Sequence, residues 1–249
     1  MWTAAKIACS TTVKATHQQS RAGVPVCAGC GVWAVSVPHR HAGARRRPGW
    51  TLQLASGVRI VRSHVADEDA EAYASWAGKS LPAEAEWERA ARGGLERAAC
   101  VWGDQPERPR QRLANYRHGA FPRRPHHGYG ARTPVGSYPA NGYGLHDMAG
   151  NVWEWTSDWY RGHHPDDADH PCCVPVNPRG GVRESSHDPG QPQFPIPRKV
   201  IKGGSYLCAD EYRLRYRPAA RRPQMIDTGM SHLGFRCMDR GSPALDNQH

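Results

Sequence analysis

The stretch Asn141–Tyr160, NGYGLHDMAGNVWEWTSDWY, decides how the rest of the chain is read. Its first half carries Gly142, Gly144 and Gly150 and no helical repeat, which is the texture of turns. Its second half, NVWEWTSDW, alternates large apolar with polar residues over the length of one short strand. This predicts short strands set between long glycine- and proline-rich loops rather than a helical bundle.

Upstream, the periodicity changes. DEDAEAYASWAGK (Asp67–Lys79) predicts an amphipathic helix, with Asp67, Glu68 and Asp69 in the first turn, where they favour the positive end of the dipole. Ala70, Tyr73, Ala74 and Ala77 share one face, and Gly78 is placed to end the helix. SLPAEAEWERAARGG (Ser80–Gly94) predicts a second helix that starts near Pro82 and stops at Gly93-Gly94. Downstream, residues 160–198 are rich in proline and lack any period, so a long surface excursion is expected.

Composition agrees with a loop-rich α+β fold: the 249 residues include 26 Gly and 21 Pro, while nine Trp supply material for a core. No apolar run approaches the roughly 18 residues of a membrane helix, so no membrane partner is expected. Residues 1–62 hold nine Lys or Arg and no Asp or Glu, against a net charge of +10 for the chain. The rest is close to neutral, so the charge does not call for a nucleic-acid partner. The chain divides into a basic, poorly ordered leader (1–62), a domain (63–240) and a tail (241–249). The leader resembles a transit segment, or arises from a mistaken start or shifted frame. Its Cys27-Ala-Gly-Cys30 has no second pair at zinc-finger spacing. The eight cysteines do not form the dense pattern of a secreted disulfide scaffold, which points to a reducing, cytoplasmic setting.

Two segments carry chemistry. In KGGSYLCADEYRLRYRPAARRP (Lys202–Pro223), Gly203-Gly204 permit a tight turn that presents Ser205, Tyr206 and Cys208. The following RLRYRPAAR reads, on pattern alone, as a strand with a solvated basic face. In Asp147–Glu154, DMAGNVWE, two carboxylates flank backbone carbonyls, an all-oxygen set suited to Ca2+. The same residues also read as a turn aspartate and an exposed strand carboxylate.

GGSYLC, YRLRYRPAAR and SHLGFRC, preceded in order by AYASWAGKSLPAEAEWERAARGG, NGYGLHDMAGNVWEWTSDWY and PCCVPVNPRGG, resemble the formylglycine-generating enzyme (sulfatase-modifying factor) family from His64 to Arg240. The resemblance implies a loop-rich, C-type-lectin-like α+β fold. It also implies an oxidase that uses O2 to convert the cysteine of a Cys-x-Pro-x-Arg motif in an unfolded sulfatase polypeptide to formylglycine. Cu(I) would sit between two thiolates, as suits soft ligands. Cys208 stands at the first copper position, and Ser205 and Tyr212 at the catalytic lining. The second copper ligand lies five residues after the first in the family, where this chain has Arg213. A guanidinium has no lone pair to donate, so impaired oxidation is expected.

By the same resemblance Asp147, Gly150, Val152 and Glu154 hold one Ca2+. Asn115, Tyr116 and Tyr129 hold a second, weakened because His127 replaces an aspartate, and imidazole suits hard cations poorly. The family's usual opening strand, Gly-Gly-x-Phe-x-Met-Gly, has no counterpart in residues 1–62, so a truncated front is expected. The alternative function is a non-catalytic peptide- or calcium-binding module on the same scaffold.

Overall fold

The computed structural model describes residues 61–105, 111–118, 130–162, 180–209 and 215–240. Helix α1 spans Asp67–Trp76 and helix α2 spans Glu84–Arg92. Four short strands follow: β1 (Trp153–Trp159), β2 (Arg198–Lys202), β3 (Arg222–Met225) and β4 (Leu233–Gly234). They form one sheet in the order β3-β2-β1-β4, with β1–β2 and β2–β3 antiparallel and β1–β4 parallel. Both helices and the central strand lie where the periodicity predicts, and the architecture is the loop-rich α+β, C-type-lectin-like one.

Helix α1 carries the expected acidic first turn and buries Ala70, Tyr73 and Ala74. Gly78 takes a left-handed φ of +66° just after it. Helix α2 ends at Gly93 with φ +57°. Its start is held from two directions. Glu86 reaches back to accept the Ala83 N–H at 2.7 Å, and Asp158 of β1 accepts the Glu84 N–H at 2.6 Å. The second bond pins the helix to the sheet at the end where the dipole favours a negative charge.

The main core joins Tyr73 and Ala74 of α1 to Trp153, Trp155, Ile201, Leu233 and Phe235. Trp155 is fully buried and its indole N–H donates to the Val65 carbonyl at 2.9 Å. Truncating such a residue to Ala costs about 3–5 kcal/mol. A second cluster packs Trp87, Ala90 and Ala91 of α2 on Met148. Val61, assigned to the leader by sequence, is buried, and its carbonyl accepts from Arg132 at 3.0 Å. Residues 1–60 and 241–249 lie outside the described residues.

Two pattern readings are corrected. Within RLRYRPAAR, residues 215–220 form turns, and the strand β3 begins only at Arg222. Pro218 is fully buried there, and a proline has no N–H to give a central strand. Glu154 is not an exposed strand carboxylate but is 4% exposed, because Arg236 supplies a buried partner.

Candidate thiol turn and cation loops

The turn after β2 is built from the two glycines. Gly203 has φ +91° and Gly204 φ +74°, a region that other residues enter only with strain. A Cβ at Gly204 would lie 2.9 Å from the Tyr216 Cα, and one at Gly203 would lie 3.0 Å from the Trp87 ring. The chain can therefore reverse tightly here, and Ser205 and Cys208 both point into protein.

Cys208 is a buried free thiol. The Ser205 N–H points at its Sγ at 3.3 Å, and the Ser205 hydroxyl lies 3.8 Å from the same sulfur. The Leu207 N–H donates to the Ser205 hydroxyl at 3.3 Å, fixing its direction. Sequence reasoning chose both residues, and the structure brings them together. Beside them, the Tyr206 hydroxyl meets that of Ser231 at 3.3 Å, and the His232 ring stands edge-on to Tyr206. Burial and the nearby His64 both push the His232 imidazole down from its usual basicity.

Tyr212 and Arg213 lie outside the described residues, so the fit of copper is judged on the donors that are described. Cys237 shares the apolar cluster with Cys208, but burial pushes its thiol up to about 11, leaving it protonated at neutral pH. No group of three or more His, Cys, Asp or Glu among the described residues is arranged to hold a metal ion. With one thiol at Cys208 and an arginine at 213, the donor set does not fit a two-thiolate Cu(I) site.

The oxygen-rich loops behave differently. Asp147 takes a left-handed φ of +56°, and its Oδ2 accepts the Gly136 N–H at 2.9 Å. Its Oδ1 is buried with no hydrogen-bond partner. Burial raises this carboxyl above the ordinary aspartate range, against the pull of Gly136 and Arg236. Asn115 is fully buried and its amide nitrogen reaches Ala131, Thr133 and Asn151, yet its Oδ1 also has no partner. An orphaned buried oxygen is rare enough to ask for a ligand. One occurs in each of the two sets that sequence singled out for Ca2+, and a third is Oδ1 of Asp67 in α1.

Glu154 is largely committed elsewhere. Arg236 donates to Oε1 at 2.7 Å and also to Oε2, and the Trp87 indole N–H donates to Oε2 at 2.7 Å. A carboxylate has about four lone-pair positions, so three donors leave one for a cation. Gly150 and Val152 are buried beside it. Tyr116 is buried and stacks on Tyr216 with centroids 4.3 Å apart. Tyr129 and His127 lie outside the described residues.

Sequence reasoning missed Arg236, Asn151 and Asn141. Arg236 belongs to a motif already noticed, but its partner is 82 positions away. Asn141 donates to the Ala90 and Ala91 carbonyls at 2.7 and 3.1 Å, capping the end of α2 from a distant loop. A separate cleft of ≈ 550 Å³ under α2 includes none of the candidate site residues.

A family description, sulfatase-modifying factor enzyme 1-like domain, matches residues 39–240, starting ahead of the change in texture at residue 63. The chain is 49% identical over 177 residues to the formylglycine-generating enzyme of Mycobacterium tuberculosis, covering 70% of this chain and 55% of that protein. It is 34% identical over 181 residues to a Bos taurus protein named inactive C-alpha-formylglycine-generating enzyme 2, covering 70% of this chain and 48% of the other. The chain thus spans about half the length of these curated relatives. Among solved structures, PvdO from Pseudomonas aeruginosa superposes with a TM-score of 0.53 at 23% identity, covering 74% of this chain and 63% of that one, which speaks to the fold alone. With a match across most of its length and the thiol turn and oxygen-rich loops in place, the chain belongs to the sulfatase-modifying factor (formylglycine-generating enzyme) family.

Proposed function

We propose that this protein is a formylglycine-generating-type homologue that receives the Cys-x-Pro-x-Arg segment of an unfolded sulfatase polypeptide beside Cys208, with oxidation impaired at position 213. The observation that carries the reading is the turn itself. Gly203-Gly204 set Ser205 against the Cys208 sulfur with two donors in reach, yet only one thiol of the family's pair is present. In this reading Cys208 meets the incoming peptide, Ser205 orients it or the sulfur through its hydroxyl, and Tyr212 is the further candidate that the family resemblance offers. The buried thiols of Cys208 and Cys237, neither in a disulfide, are consistent with work in a reducing compartment such as the cytoplasm.

Calcium is the second element of the proposal. Asp147, through its orphaned Oδ1, would hold one ion with the Gly150 and Val152 carbonyls and the spare lone pair of Glu154. Asn115 and Tyr116, with Tyr129, would hold another, made weaker by His127. Bound Ca2+ would satisfy the two orphaned oxygens and neutralise Asp147.

An aldehyde assay on a Cys-x-Pro-x-Arg peptide with added copper, run on the wild type and on Arg213→Cys, tests the reading. Aldehyde from the substituted protein and little from the wild type is the expected result. Full activity in the wild type would overturn the impairment. Failure of both would favour the second reading, a non-catalytic peptide- or calcium-binding module, for which the orphaned oxygens are the specific observation.

A further inference from the structure

The orphaned oxygens of Asn115 and Asp147 sit on segments that are bonded directly to each other and to the thiol turn. The Asn151 N–H donates to the Asn115 carbonyl at 2.7 Å, and the Asn115 amide nitrogen reaches the Asn151 Oδ1 at 3.2 Å. Asn151 is also clasped to Thr133: its Oδ1 accepts the Thr133 N–H at 3.1 Å and its Nδ2 donates to the Thr133 carbonyl at 3.3 Å. These bonds join the loop that follows Asp147 to the segment that holds Asn115.

Three more bonds carry both segments into the turn around Cys208. The Gly150 N–H donates to the Gly203 carbonyl at 2.8 Å, the Tyr206 N–H to the Asn151 carbonyl at 3.1 Å, and the Arg117 N–H to the Cys208 carbonyl at 2.8 Å. The turn is therefore stitched at its beginning, middle and end to the two segments whose oxygens lack partners. Asn151 is the common node. It is 1% exposed and held at φ +61°, a conformation with a cost for a residue other than glycine, kept because its side chain is bonded on two sides.

We infer that Asn151 is a positioning residue that couples cation binding at the Asp147 and Asn115 oxygens to the order of the Gly203–Cys208 turn, so that Ca2+ closes the turn over the Cys208 thiol. The inference rests on the calcium reading above and adds a consequence that reading does not contain. Without a cation, Asp147 is a buried carboxylate with one unsatisfied oxygen, and the loop relieves that by opening toward water. Opening moves Gly150 and Asn151, and with them the anchors of Gly203 and Tyr206. Binding of a cation removes the reason to open, and the bonds through Asn151 transmit the gain to the turn.

The full-length protein, stripped with a chelator and returned to Ca2+, tests this with two readouts that do not need turnover. Calorimetry with CaCl2 first establishes that the ion binds. Hydrogen exchange at the Tyr206 amide and alkylation of Cys208 by iodoacetamide, read by peptide mass spectrometry, should then slow about five-fold or more on adding Ca2+. In Asn151→Gly, which accepts the same φ but lacks the side-chain clasp, Ca2+ should still bind while the slowing at Cys208 largely disappears. Binding without any change at Tyr206 or Cys208 in the wild type overturns the coupling and leaves the calcium reading standing. Equal slowing in Asn151→Gly overturns the role of Asn151. No binding in the wild type overturns both readings at once. Should Asn151→Gly fail to fold, Asn151→Asp takes its place, since it keeps the acceptor for the Thr133 N–H but loses the bond to the Thr133 carbonyl, and undiminished slowing there overturns the role of Asn151.

Discussion

On the α2 side of the sheet, Lys202 is fully buried, and its amine lies 3.2 Å from Glu88 and 3.6 Å from Glu84. Glu84 in turn takes a two-pronged contact from Arg221, at 2.8 Å to each oxygen, and Glu88 takes one from Arg92 at 2.7 Å. In the loops, Asn115 and Asp147 are also drawn out of water, but each keeps a buried oxygen with nothing to accept from. The first set is closed: its charges satisfy one another and need nothing from outside. The second is open: at comparable burial the Asn115 and Asp147 oxygens lack a donor, as does Oδ1 of Asp67 in α1, where Lys199 supplies a counter-charge at the other oxygen.

The comparison can be broken at either end. The largest effect is expected where a closed pair is opened. Arg236→Met leaves the Glu154 carboxylate buried with only the Trp87 indole as donor, and should cost about 3–5 kcal/mol in urea unfolding. A loss below about 1 kcal/mol would mean that Glu154 is not held as tightly as its three bonds indicate. Next comes the open set. Ca2+ at a hundredfold excess over its Kd should stabilise the chelator-stripped wild type by about 2.7 kcal/mol, and Asp147→Ala should remove most of that gain. An unchanged Tm on adding Ca2+ would erase the distinction between the two sets.

A pH profile sharpens the same contrast at α1. Asp67 is 2% exposed and faces Lys199 at 3.0 Å, with Glu71 and Glu68 nearby, and burial lifts its carboxyl to about 6. A folded-state value above the unfolded one contributes stability that is complete below about pH 4 and is lost as pH rises through about 6. The wild type should lose on the order of 1–2 kcal/mol across that window relative to Asp67→Asn, whose profile should be flatter there. Matching profiles for the two proteins would show that Asp67 ionises as freely folded as unfolded. The smallest effect is expected at Asn141→Ala, which removes the cap on the Ala90 and Ala91 carbonyls and should lower stability by about 1 kcal/mol in the same assay.

How much of this was legible in the sequence depends on how far each signal reaches along the chain. The two helices, the β1 strand and the glycine turn before Cys208 rest on neighbours within one or two turns, and the residue pattern carries them. The pairing of Glu154 with Arg236, the cap from Asn141 and the clasp of Asn151 on Thr133 join residues 82, 51 and 18 positions apart. No local period encodes such contacts. On pattern alone Glu154 reads as an exposed strand carboxylate, since an alternating strand gives no sign that an arginine will cover its polar face. RLRYRPAAR was misread for a related reason: the alternation of arginines is real, but Pro218 and the close approach of Tyr216 to Gly204 turn the chain there. The residues of Asp147–Glu154 show an all-oxygen pattern that reads equally as a turn, because an asparagine or aspartate in a turn is ordinary until its unpartnered oxygen is seen.

One thiol at Cys208, with arginine at 213, does not make a two-thiolate Cu(I) site. Competition for Cu(I) against a chromophoric chelator, with wild type and Arg213→Cys measured side by side, tests it most directly. Arg213→Cys is expected to withdraw one equivalent of Cu(I) from the chelator in a Cys208-dependent way, while the wild type leaves the chelator loaded. Cu(I) held by the wild type as tightly as by Arg213→Cys would contradict it.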